Sequence, residues 1–335
     1  MQITVLGAGY MGSAMATVAV ARGHRVRLWG TWLDDELLEP VERGGLHPRL
    51  KLPLTGMEHL RAPRLAEALQ GAELVIHGIS SVGALAVMEK ARAFLPDVPI
   101  VSVTKGFLES HAGTRGPHMD RIDVVLAEAA GRPLRFVHAS GPAKAMEISR
   151  GVLTWMVFAS QNEQDARLCA DALGGDHLQV GVSTDIAGAE ICSALKNAYA
   201  TGIGIWDGLV GIDAHDARAA CFAQSIVEMR RLVLAGGGRD DTVHGAPGIG
   251  DLHVTAAGGR NRVFGERIGK GRPASEVAAE MLASGELTEG YAAIATAWRW
   301  AHEQGVTDLP FLRMLHDVVW QDMPVAQAVT QLRFV

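Results

Sequence analysis

Residues 1–31 read MQITVLGAGYMGSAMATVAVARGHRVRLWGT. ITVLG (3–7) is a short apolar run of the kind that forms a buried strand, and MGSAMATVAVARG (11–23) follows with helical character. HRVRLWG (24–30) reads as a second strand. At the first strand-to-helix junction Gly7, Gly9 and Gly12 fit G-x-G-x-x-G. In that pattern the first glycine makes the tight turn, the second lets a pyrophosphate approach the backbone, and the third lets helix and strand pack closely. The helix N-terminus then offers free N–H groups and a positive dipole end to the anion. The order strand, glycine turn, helix predicts a dinucleotide-binding βαβ unit.

The end of the second strand bears on which dinucleotide. An Asp or Glu there holds the ribose 2′-hydroxyl and repels a 2′-phosphate. Here the stretch is Trp29-Gly30-Thr31. The Thr31 hydroxyl can donate to a phosphate, Gly30 leaves room for one, and Arg49 and Lys51 of HPRLKL (47–52) can swing in. Asp34 and Asp35 lie further on, in the expected first turn of a helix, where acids suit the dipole. The expectation is NADP(H), with NAD(H) as the alternative. For Arg49 and Lys51 an ordinary solvated surface remains the other reading.

Outward from this opening, apolar runs alternate with amphipathic stretches: AELVIHGIS (72–80), PIVSVTKG (99–106), RFVHASG (135–141), TWMVFAS (154–160) and LQVGVS (178–183) read as further strands. Strands alternating with helices predict a parallel sheet covered on both faces, a doubly wound α/β domain of the Rossmann type. From about residue 185 the texture changes to long helical segments rich in small residues, beginning with DIAGAEICSALKNAYATGIGIWDGL (185–209). Pro273 and Pro324 stand near two expected helix starts, where proline is tolerated. The expected division is a dinucleotide-binding domain over 1–185 and an all-helical C-terminal domain over 186–335.

Composition narrows the function. A formal charge of −6 argues against a nucleic-acid surface, which calls for a basic stripe. No apolar run is long enough to span a bilayer, and no signal-peptide pattern opens the chain. Cys169, Cys192 and Cys221 are odd in number and form no metal-binding spacing, so reduced thiols in a cytoplasmic protein without a zinc site are expected.

Two lysines stand in unexpected company. Lys105 ends a strand, where ligands bind in such sheets. Lys196 interrupts an otherwise small and apolar helical run, and burying an ammonium is costly without a partner. A third feature, GAPGIGDLHVTAAGGRNRVFG (245–265), reads as a glycine-rich loop between helices carrying Asp251, Arg260, Asn261 and Arg262. Such loops in compact domains are commonly functional, and Arg is suited to bidentate phosphate recognition. SGPAKAMEIS (140–149) follows a strand and is expected to open a helix at Pro142.

In order along the chain, GAGYMG, RLWGT, SVTKG, ASGPAKAMEISRG, ALKN, GIGDL, GGRNRVFGERIGKG and LTEGY occur. Together they resemble the NAD(P)-dependent glycerol-3-phosphate dehydrogenases over nearly the whole length. The resemblance implies that Lys196 is the catalytic lysine and Lys105 a second active-site lysine touching substrate and cofactor. Gly141, Ala143, Asp251, Gly259, Arg260 and Asn261 are implied at the substrate. Tyr10, Met11, Ala145, Leu287 and Glu289 are implied at the cofactor, which Arg260 also approaches. A homodimer is implied, as is a role in supplying phospholipid backbones. Ala143 stands where the family carries Ser or Thr, Gly259 where Ser is frequent, and WGTW where WGRD or WGHD is usual.

What this implies is hydride transfer between a nicotinamide and dihydroxyacetone phosphate or sn-glycerol 3-phosphate, with Lys196 as general acid/base. Two alternatives stay open on the residues. One is a related reductase of the β-hydroxyacid dehydrogenase or ketopantoate reductase type, although those carry K-x-x-x-N and here Ala200 stands four residues after Lys196. The other is a non-catalytic NADP(H) sensor, which could dispense with the lysines.

Overall fold

The structure is a computed structural model that describes residues 1–111, 116–286 and 288–335. The chain divides into two compact units, residues 1–105 with 122–186, and residues 106–121 with 187–335.

The first unit is built on an eight-stranded sheet. In chain order its strands are β1 (Gln2–Leu6), β2 (Arg25–Trp29), β3 (Met57–Leu60), β4 (Leu74–His77) and β5 (Ile100–Ser102), then, past a hairpin of β6 (Phe107–Ser110) and β7 (His118–Arg121) that belongs to the other unit, β8 (Phe136–Ser140), β9 (Thr154–Ala159) and β10 (Leu178–Ser183). Their spatial order is β10-β9-β8-β5-β4-β1-β2-β3. The chain winds outward from β1 through β2 and β3, then returns to place β4 on the other side of β1. That reversal is the switch point of a doubly wound sheet, with a crevice beyond the strand carboxyl ends. The register levels those ends: Leu6 pairs with Trp29 on one side and His77 on the other. Gly7, Gly30 and Gly78 each carry the ladder one residue further, donating to Trp29, Leu60 and Leu6 carbonyls at 2.8 Å.

Two details depart from the sequence expectation. The four-residue strand β3, MEHL, is too short and too mixed in composition to stand out in the sequence. The sheet is also not parallel throughout, because β8 and β9 run antiparallel. After β8 the chain makes only the short helix Ala145–Ser149, which packs on the helix Tyr10–Ala21. It therefore enters β9 from the end at which β8 left, whereas a parallel return needs a full crossover. The parallel order resumes from β9 to β10 across the helix Glu163–Leu173.

Among the described residues the second unit is helical apart from the antiparallel pair β6 and β7. A single cut near residue 185 leaves that pair on the wrong side. Phe107 stacks on Trp300 with ring centroids 4.7 Å apart, and Met119 is buried in the same core. The 24-residue helix Ile186–Leu209 runs through this core, buried on nearly all sides, which is why most of its residues are small or apolar, with Glu190, Lys196, Asn197 and Asp207 the buried exceptions. Pro273 and Pro324 sit at the N-caps of Ala274–Ala283 and Val325–Gln331. Among the described residues no helix is long and apolar enough to cross a membrane.

Candidate active site

In the first unit the three glycines divide their labour. Gly7 has φ +99°, and a Cβ there would meet the Gly78 carbonyl oxygen at 2.8 Å. A Cβ on Gly12 would lie 2.2 Å from the Gly7 oxygen. Both are glycine because strand ends and helix start touch. Gly9 differs: among the described residues nothing lies within 4 Å of its would-be Cβ, so bare backbone faces open space. It also caps the helix Tyr10–Ala21, whose N-terminus has no side-chain cap and no acid in its first turn. These N–H groups are the orphan donors a pyrophosphate satisfies, and the residues present fit an NAD(P) dinucleotide. Tyr10 projects half-exposed from the turn, and Met11 packs inward on the sheet core.

The end of β2 is arranged differently from expectation. The Thr31 hydroxyl donates to Asp34 Oδ2 at 2.9 Å, as does the Thr31 N–H at 2.9 Å, and the hydroxyl accepts from the Leu33 N–H. It is committed within the chain rather than held out for a phosphate. Asp34 precedes the helix Asp35–Glu42 without capping it by its side chain. Its carboxylate turns back and also accepts from the Ala8 N–H of the glycine turn at 3.2 Å. An acid therefore does reach this turn, three residues later than the usual position.

Lys105 lies just beyond β5, after the buried Thr104, whose hydroxyl donates to the Ile79 carbonyl at 2.8 Å. At the end of β8, Gly141 adopts φ +121°. The helix that follows starts at Ala145, not Pro142, so its N–H groups come three residues later than expected. Ala143 and Ala145 pack half-buried against the sheet core. Lys144 is extended, at φ −100° and ψ 127°, so the helix does not begin before Ala145.

In the second unit the sequence-distant motifs meet. Lys196 is 8% exposed, and its Nζ donates to Asp251 Oδ1 at 2.5 Å; Asp251 is fully buried. The next residue, Asn197, donates from Nδ2 to Glu289 Oε2 at 2.8 Å and accepts from Asn261 Nδ2 at 2.8 Å. Asn261 Oδ1 in turn accepts from the Gly290 N–H at 2.9 Å. Gly290 must be glycine, since a Cβ there would lie 2.1 Å from Thr201 Oγ1. A buried ion pair is stable only with good geometry, and the Nζ–Oδ1 contact supplies it; the polar groups next to it, on Asn197 and Asn261, are hydrogen-bonded in their turn.

Residues 245–265 are not a loop. They form a π-helical turn over Ala246–Gly250, the helix Asp251–Ala257, a break at Gly258-Gly259 and the helix Arg260–Gly269. Several of the glycines serve close packing: a Cβ on Gly248 would strike the Val243 oxygen at 2.0 Å. The π turn delivers Asp251 at a helix start beneath Lys196. Gly259, at φ +125° with open space around it, opens a helix that no side chain caps and whose first turn has no acid. Arg260 is exposed at that start, whereas Asn261 is buried and spends its amide on Asn197 and Gly290. Glu289 is half-buried, and Leu287 lies outside the described residues. Asn197, placed beside Lys196 in LKN, and Asp34 stand in the candidate site, though residue type alone did not single them out.

Residues 2–166 match the family model for the NAD-dependent glycerol-3-phosphate dehydrogenase N-terminus, and residues 185–330 match that for its C-terminus. The chain is 33% identical to the NADP(+)-dependent glycerol-3-phosphate dehydrogenase of Archaeoglobus fulgidus, covering 99% of both chains. It is 36% identical to the glycerol-3-phosphate dehydrogenase [NAD(P)+] of Thiobacillus denitrificans, covering 99% of this chain and 97% of the relative. Among solved structures, the glycerol-3-phosphate dehydrogenase of Coxiella burnetii matches with a TM-score of 0.87 at 27% identity, over 99% of this chain and 98% of that one. With the glycine cradle and the Lys196–Asp251 pair in place, these matches identify the chain as a member of the NAD-dependent glycerol-3-phosphate dehydrogenase family.

Proposed function

We propose that this chain interconverts dihydroxyacetone phosphate and sn-glycerol 3-phosphate, with NADP(H) favoured and NAD(H) accepted. The observation that carries the assignment is the buried Lys196–Asp251 pair, with the hydrogen-bonded Asn197, Asn261 and Glu289 beginning at the next residue. The nicotinamide, when bound, supplies or accepts the hydride. Lys196 is assigned the proton: it gives one to the C2 oxygen in reduction and takes it back in oxidation. Asp251 holds the Nζ in place and balances its charge when protonated. Lys105 is assigned a supporting cationic role at substrate and cofactor. Arg260 and the uncapped helix start behind it suit the phosphate end, which a guanidinium can grip bidentately. Gly7, Gly9 and Gly12 would hold the pyrophosphate, with Tyr10 beside it. A cytoplasmic homodimer belongs to the same proposal, and sedimentation of the purified protein tests the dimer.

The test is the fall in NADPH absorbance on adding dihydroxyacetone phosphate, repeated with NADH. Lys196→Ala is expected to lower kcat by roughly 10²–10⁴, the usual worth of general acid–base catalysis. Near-native turnover in that variant removes Lys196 from the proton-transfer role.

A further inference from the structure

The segment HPRLKL (47–52) closes on itself. The His47 N–H donates to the Leu52 carbonyl at 2.9 Å and the Lys51 N–H to the His47 carbonyl at 2.8 Å, with Lys51 in the left-handed region at φ +57°. The imidazole of His47 fills the inside of this turn and is fully buried. Its Nδ1 faces the N–H groups of Arg49 at 3.3 Å and Leu50 at 3.1 Å, so it accepts and carries no proton. The proton is then on Nε2, which donates to the Ala8 carbonyl of the glycine turn at 2.9 Å. Leu50 is buried in the sheet core and anchors the other side. Arg49 and Lys51 remain exposed, and the Arg49 guanidinium carbon stands 5.7 Å from the Tyr10 ring centroid.

We propose that His47 is a positioning residue for cofactor selection, pinning a basic turn to the glycine cradle so that Arg49 and Lys51 receive a ribose 2′-phosphate. The proposal rests on the NADP(H) assignment above. Two exposed cations on a flexible segment would lose much of their binding to side-chain and loop entropy; fixing the backbone that carries them removes part of that loss. A phosphate monoester suits this pair, one a planar fork and the other a point charge. The nearby acid, Asp34, already has its Oδ2 turned inward onto Thr31 and Ala8. Burial holds the His47 imidazole below its ordinary range, in keeping with a neutral ring that accepts at one nitrogen and donates at the other.

The experiment is calorimetric titration of the full chain with NADPH and with NADH in the absence of substrate. The unaltered protein is expected to bind NADPH more tightly, and Arg49→Ala combined with Lys51→Asn, a residue that tolerates the left-handed backbone, is expected to remove most of that preference. His47→Asn keeps an acceptor for the turn but cannot reach Ala8; it is expected to lower the NADPH-to-NADH affinity ratio about tenfold, the size of one charge-assisted contact. His47→Gln, which can reach Ala8, should recover part of the ratio, and it carries the test should the Asn variant not fold. If the double variant loses the preference while both His47 variants keep it within about twofold of the unaltered ratio, the positioning role is wrong and the NADP(H) assignment stands. An equal loss for both cofactors makes His47 merely structural and also overturns the proposal. An unaltered protein that prefers NADH, or a double variant that keeps the preference, overturns the assignment and the inference together.

Discussion

At the residue scale, the chemistry depends on polar groups whose partners are fixed before any substrate arrives. Arg260 is the exposed exception, with no acid in the first turn of the helix it begins. Arg260→Ala should raise KM for dihydroxyacetone phosphate about 10- to 100-fold, the worth of a charge-assisted pairing, with a smaller change in kcat. Unchanged KM and kcat in steady-state assays would rule out a phosphate clamp there. His77 offers a different test. Its Nδ1 donates to Thr104 Oγ1 at 2.8 Å, and its Nε2 has no partner among the described residues. Complete burial lowers its pKa from 6.5 to about 4. The unfolded imidazole therefore takes up a proton below about pH 6.5 while the folded one does not until about pH 4. Stability present at neutral pH is lost as pH falls through that window, by about 3 kcal/mol in all. Urea unfolding of the chain and of His77→Gln at pH 7 and pH 4.5 checks this: the variant should lose part of the pH dependence. Lys196, Lys105, Asp251 and Arg260 were legible in the sequence because charged residues in apolar or glycine-rich runs need a reason. Asp34 and His47 were not, because their side chains fold back onto the glycine turn, and spacing does not record a reversal of direction.

At the element scale, two helices of the second unit touch backbone to backbone. Cβ atoms on Gly204 and Gly208 of Ile186–Leu209 would lie 2.3 and 2.0 Å from the Arg262 and Glu266 oxygens. Those on Gly265 and Gly269 of the facing helix would lie 2.0 and 2.1 Å from the Thr201 and Ile205 oxygens. This approach sets Asn261 against Asn197. Gly265→Ala should therefore cost about 1–3 kcal/mol of stability by overpacking and also lower kcat/KM, measured by thermal melts and kinetics on one preparation. Glu228 is a second device. Buried on His215–Ala235, it accepts from Gln224, from the Tyr199 hydroxyl at 3.0 Å and from the Phe311 and Leu312 N–H groups that begin Pro310–Trp320. Burial raises its pKa. Glu228→Ala leaves these donors unsatisfied and should destabilise by upwards of about 3 kcal/mol, read from the urea midpoint. The long strands and helices were legible because burial stamps a period on them. β3, β6 and β7 were not, since strands of four residues with charged residues among them are too short to show a usable alternation. The supposed loop at 245–265 was misread because glycine serves close packing as well as turns.

At the scale of the whole molecule, each unit carries its own reporter of opening. Cys169 lies in the sheet unit, Cys192 and Cys221 in the helical one, all buried and none in a disulfide among the described residues. Burial pushes the Cys169 and Cys221 thiols up to about 12. Native protein should therefore resist a thiol reagent at pH 8, and all three should react in denaturant. Mass spectrometry of pulse-labelled protein would then time the opening of the two units separately, and prompt modification of any one without denaturant contradicts its burial.

The hairpin of β6 and β7 is encoded between β5 and β8 yet contributes Phe107 and Met119 to the helical core. A ribosome releases these two side chains before it has made Trp300, the ring on which Phe107 stacks. For that interval the nascent chain carries an apolar tag with nowhere to go. The order of synthesis thus makes residues 106–121 a natural landing place for a chaperone, and a point where slow translation raises the risk of misassembly.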